Sequence, residues 1–136
     1  MTNYLSYDVS AYAINPRSGA LKQVQGSPFA MGGFPFGVTI DPAGRFTYVC
    51  NEGSKDVSAY SINASSGALT QVKGSPFKAG RGPLLMAIDP AGFAYVTNQG
   101  PGTVSAYTLN ASSGALKKVS GSPFKAGISS FGVATW

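Results

Sequence analysis

Three near-copies of one stretch constrain this chain more than any other feature of it. Val57–Gly80 reads VSAYSINASSGALTQVKGSPFKAG, Val9 opens VSAYAINPRSGALKQVQGSPFAMG, and Val104 opens VSAYTLNASSGALKKVSGSPFKAG. Matched landmarks, Tyr12, Tyr60 and Tyr107 in VSAY and Gly26, Gly74 and Gly121 in GSPF, set a period of about 47 residues. Periods of that size belong to propeller blades and exceed those of ankyrin or leucine-rich repeats. The 136 residues therefore form one repeat domain, 1–136, with repeats starting near 9, 57 and 104.

Each period holds four β-rich runs separated by turn chemistry, which predicts an all-β chain of four-stranded antiparallel blades. The middle of the chain is the reference unit. Phe36–Ile40 is a short apolar run suited to a strand buried on both faces, strand A. Asp41-Pro42-Ala43-Gly44 turns the chain: proline fixes φ, glycine accepts positive φ, and the aspartate accepts from backbone amides. Strand B follows as Phe46–Asn51, strand C as Val57–Ile62 and strand D as Leu69–Lys73. Lys22, Lys73, Lys117 and Lys118 lie on the outer strands, where lysine discourages edge-to-edge pairing. Gly74-Ser75-Pro76-Phe77 leads out of strand D, and Phe29, Phe77 and Phe124 are expected to plug the gaps between blades.

The phase of the repeat is as informative as its length. Met1-Thr2-Asn3 aligns with Val96-Thr97-Asn98 in strand B, and Phe131–Thr135 aligns with Phe36–Ile40 in strand A. The first blade is therefore split between the two ends, and each chain supplies three blades. Closed propellers hold about four to eight. Two chains, each lending its C-terminal strand A to the split blade of the other, would give a ring of six; a trimer of nine is the less favoured alternative. The partner expected on this reading is another copy of the chain.

Composition removes several function classes. A net charge of +5 is spread along the chain without a basic cluster, so nucleic-acid binding is not expected. The N-terminus carries no signal-peptide pattern and no apolar run is long enough to span a bilayer, so a soluble chain with no membrane partner is expected, its compartment left open. Cys50 stands alone within a strand and reads as a buried hydrophobe. Histidine is absent, which removes the commonest general base and metal ligand together and leaves no metal or other cofactor expected.

VSAYxINxxSGALxxVxGSPFxxG followed by IDPAGRFxYVxN resembles the lactonase family of β-propellers, 6-phosphogluconolactonase-like proteins among them, and the related YVTN-repeat proteins. Tyr95-Val96-Thr97-Asn98 is the YVTN signature and Tyr48-Val49-Cys50-Asn51 its variant. The resemblance spans the chain and implies a propeller; it also implies lactone hydrolysis in a central channel lined by polar and charged residues, histidine among them. No catalytic residue transfers onto a matching position of this sequence.

The residues themselves offer few candidates for chemistry. Asp41 and Asp89 occupy the same hairpin turn in two repeats and read as caps. Glu52 lies in a B–C connection and Arg81 in a D–A connection on the same rim, so both are candidates for ligand binding at the channel mouth. The leading expectation is a non-catalytic module that assembles into a ring. A lactonase-like hydrolase working through Arg81 and Glu52, and a small-ligand or glycan binder at the channel mouth, are the alternatives.

Overall fold

A computed structural model describes residues 1–135. It holds fifteen strands, grouped as the repeat dictates. Blade 1 contains β1 (Thr2–Asn3), β2 (Asp8–Val9), β3 (Tyr12–Ile14), β4 (Leu21–Gln23) and β5 (Phe29–Ala30). Blade 2 contains β6 (Pro35–Ile40), β7 (Phe46–Asn51), β8 (Asp56–Ile62), β9 (Leu69–Gln71) and β10 (Phe77–Lys78). Blade 3 contains β11 (Pro83–Ile88), β12 (Phe93–Asn98), β13 (Thr103–Leu109), β14 (Leu116–Lys118) and β15 (Phe124–Lys125). All pairings are antiparallel; most run between consecutive strands, as in β6–β7–β8–β9, while β5, β10 and β15 pair with β2, β8 and β13, and strands A, B and C lie within one residue of the expected boundaries.

The GSPF segment does more than end strand D. After β9 the chain crosses a cis Ser75–Pro76 bond and returns to the same strand C, where Phe77 pairs with Val57 and Lys78 with Asp56. The Ser75 hydroxyl accepts the Ala59 N–H at 2.9 Å, and Ser27 and Ser122 do the same for Ala11 and Ala106. A serine thus satisfies the strand C amide that the interrupted outer strand leaves unpaired. The hairpin caps are as the turn residues require. Asp41 Oδ1 accepts the Arg45 and Phe46 amides at 2.6 Å each, and Asp89 accepts Phe93 at 2.7 Å.

The core lies between blades 2 and 3. Phe46, Tyr48, Cys50, Val57 and Ala59 of one blade meet Met86, Val96, Tyr107 and Leu116 of the other, with Phe77 packed at its margin. Phe77 is the plug that the sequence suggests; its counterpart Phe124 is exposed because no further blade covers it. Cys50 is fully buried, and burial pushes its thiol pKa up to about 12.

Phe131–Thr135 forms no strand, because nothing offers it a strand B to pair with. It nonetheless sits where the next strand A belongs. Thr97 Oγ1 donates to the Phe131 carbonyl at 3.2 Å, and Thr2 Oγ1 donates to the Phe36 carbonyl at 2.8 Å. These are the same contact at equivalent repeat positions. Thr135 Oγ1 also reaches the Ile88 carbonyl at 3.2 Å, anchoring the segment along β11.

Candidate functional site

Consecutive blades place equivalent loops around one mouth of the inner surface. Each D–A connection is laced to the B–C connection of its own blade. Glu52 N–H donates to the Phe34 carbonyl at 2.9 Å and Gly53 N–H to Gly33 at 3.0 Å. In blade 3, Gln99 N–H donates to Gly82 at 2.8 Å and Gly100 N–H to Arg81 at 3.3 Å. Glu52 and Gln99 are therefore one position in successive blades, as are Gly33 and Arg81. Tyr4, which follows Asn3 as Glu52 follows Asn51, is the third member of the first set.

The Glu52 side chain turns towards blade 1. Tyr4 Oη donates to Glu52 Oε2 at 2.7 Å, joining two neighbouring blades across the rim. The Tyr4 pKa is raised, chiefly because its hydroxyl donates to that carboxylate, so the phenol remains the donor at neutral pH. Around this bond gather three further rings. Tyr4 lies 5.0 Å from Phe34 and 6.4 Å from Phe36, and Tyr7 packs edge-on to Phe34 at 5.1 Å. Phe34 holds a φ of +54°, where blade 3 has glycine, Gly82, at +65°. A bulky residue in that region costs on the order of 1 kcal/mol, and the contacts with both tyrosines hold it there. A cavity of about 280 Å³ lined by Thr2, Tyr4, Pro35 and Phe36 opens beside the cluster.

Arg81 is exposed on the neighbouring connection and is not brought to Glu52; the two sit on adjacent blades, and the carboxylate faces away from it towards Tyr4. The partner that sequence reasoning missed is Tyr4. Its signal was present: aligning Asn3, Asn51 and Asn98 puts Tyr4, Glu52 and Gln99 in one row. Among the described residues no group of three or more His, Cys, Asp or Glu is placed to hold a metal ion. No helix among them is long and apolar enough to cross a membrane.

A radial stack of four-stranded antiparallel units, with a polar and aromatic mouth at the inner ends of the loops, defines part of a β-propeller. The match of residues 1–128 to the family described as lactonase, 7-bladed beta-propeller, settles the lineage: this chain belongs to that family. Among solved structures, a Bacteroides uniformis protein assigned as a 6-phosphogluconolactonase superposes with a TM-score of 0.79 at 18% identity, over 90% of this chain and 36% of that one. The Pseudomonas aeruginosa periplasmic gluconolactonase PpgL gives 0.76 at 24% identity, over 91% and 35%. A Lactobacillus plantarum protein gives 0.76 at 22% identity, over 93% and 38%. No curated protein matches the sequence. The chain thus spans a little over a third of the propellers it resembles.

Proposed function

We propose that this chain supplies blades to a lactonase-type ring that hydrolyses a sugar lactone at the mouth of its channel. Family membership over residues 1–128 supports this reading above that of a non-catalytic module. The absence of histidine, which favoured the inert module, leaves a carboxylate route open. A lactone is a cyclic ester. Glu52 would accept a proton from water as the water oxygen bonds to the carbonyl carbon; the ring C–O bond then breaks, and the leaving oxygen takes up that proton to give the open hydroxy acid. Arg81, one blade along, offers its guanidinium to an anionic substituent of the sugar. The exposed rings of Tyr4 and Phe36 favour a second reading, sugar binding without turnover, because aromatic faces cover the apolar side of a sugar ring.

The test is to incubate the full chain with gluconolactone and its 6-phosphate while following acid release. Turnover above buffer hydrolysis is expected, with kcat lowered about 100-fold or more in Glu52→Gln and KM raised in Arg81→Ala. No turnover by the unaltered chain would remove the hydrolase; binding, followed by tyrosine fluorescence, would then decide the second reading.

A further inference from the structure

Glu52 is held at both of its ends through one neighbour. Its amide donates to the Phe34 carbonyl at 2.9 Å, and its carboxylate accepts the hydroxyl of Tyr4, whose ring rests on the Phe34 ring at 5.0 Å. Main chain, phenyl ring, phenol and carboxylate thus close a circuit across two blades. Tyr7 packs edge-on to the same phenyl ring at 5.1 Å. Gly53, beside Glu52, makes room for it, since a Cβ there would strike the Phe34 ring.

Phe34 sits in this circuit against its own backbone preference. Its φ is +54°, in a region that a bulky residue has no local reason to occupy, and blade 3 fills the equivalent position with Gly82 at +65°. A strained residue that its surroundings hold in place points to a functional constraint. The backbone lacing alone does not require the ring, because Gln99 donates to the Gly82 carbonyl at 2.8 Å without one. The two rim positions also change together: Glu52 goes with Phe34, and Gln99 goes with Gly82. What the ring adds in blade 2 is a seat for Tyr4.

We infer that Phe34 and Tyr4 are positioning residues for Glu52: the Phe34 ring seats Tyr4, and the Tyr4 hydroxyl fixes the direction of the carboxylate. Their part in catalysis rests on the reading of Glu52 as the base in lactone hydrolysis. Tyr4 occupies Oε2 and leaves Oε1 to take the proton from water. A glutamate tied at one oxygen has its rotamer set before substrate arrives, so the base is oriented in advance. The tyrosine must stay protonated to do this. Its bond to Glu52 raises its pKa, with partial desolvation and the charges of Glu52 and Tyr7 adding to the shift, so it remains the donor at neutral pH.

Tyr4 gives a readout that needs no turnover. The carbon-13 resonance of its Cζ, assigned by its loss in Tyr4→Phe, should titrate above the ordinary tyrosine range in the full chain and move down in Glu52→Gln. No movement in Glu52→Gln would overturn the clamp. In the Phe34→Gly background the effect of Glu52→Gln should vanish, because an unseated phenol no longer bonds the carboxylate. An effect of unchanged size there would overturn the seat. Phe34→Tyr keeps a ring and should keep the Glu52→Gln effect; its loss would count against the seat as well. Kinetics form the second arm. With gluconolactone, Tyr4→Phe and Phe34→Gly should each lower kcat about 10-fold or more with little change in KM, and unaltered kcat in both would overturn the positioning role. A chain that turns over no lactone removes the hydrolase, and the titration still decides whether Phe34 and Tyr4 hold Glu52.

Discussion

Blade 2 meets blade 3 across a closed seam, whereas blade 3 and blade 1 present the same side chains to solvent at the two ends. Sequence alone does not separate the two situations, since Phe46 and Phe93, or Tyr107 and Tyr12, are repeats of one another. What differs is the neighbour: the energetic weight of a propeller residue lies in the adjoining blade.

The largest expected effect tests that contrast directly. Phe46→Ala removes a buried ring and should cost about 3–5 kcal/mol, read from denaturant midpoints at any protein concentration. Phe93→Ala removes a ring that is already 38% exposed and should cost about 1 kcal/mol or less by the same measure. Equal losses would erase the distinction.

A smaller, sharper contrast uses two glycines of like conformation, Gly114 at φ +75° and Gly19 at φ +70°. Alanine at either carries the left-handed backbone penalty of about 1 kcal/mol. Only Gly114→Ala also drives a Cβ into the Phe46 ring, adding about 1–3 kcal/mol of overpacking. In dilute solution Gly19→Ala should therefore be the milder, and the reverse order would show that the end face is already covered.

The sequence makes the strand order, the phase of the blades and the aspartate caps legible, because each follows from local chemistry: Asp41 precedes Pro-Ala-Gly, and its carboxylate finds the Arg45 and Phe46 amides. It does not disclose the return of Phe77 to strand C, because proline suggests termination and the Ser75 hydroxyl replaces the lost ladder partner. At the candidate site, Glu52 was legible as a rim carboxylate. Its direction was not, since it depends on the angle between blades that brings Tyr4 within 2.7 Å.

The smallest effect is pH dependence near neutrality from the seam's own titrating groups, Cys50 and Tyr107 among them. Burial raises the Cys50 thiol from 9.0 to about 12 and the Tyr107 phenol from 10.0 to about 12. Both folded pKa values lie above the unfolded ones. Their contribution is thus fully present below pH 9 and is lost between there and about pH 12, as the unfolded chain sheds protons that the seam retains. Thermal melts of the unaltered chain and of Cys50→Ala should be parallel in pH up to 9 and diverge above it. Melts that stay parallel up to about pH 11 would mean that the thiol is less buried than the closed seam requires.

The seated segment Phe131–Thr135 also bears on folding time. Contacts within a blade close short loops, and those between blades join residues that are still near in sequence, from Lys78 and Tyr107 at 29 residues to Tyr48 and Gly114 at 66. Adding blades to such a chain lengthens it without lengthening these loops, so the search for native contacts stays local as the array grows. The segment Phe131–Thr135, held along β11 by Thr97 and Thr135, continues the same local pattern one step past blade 3.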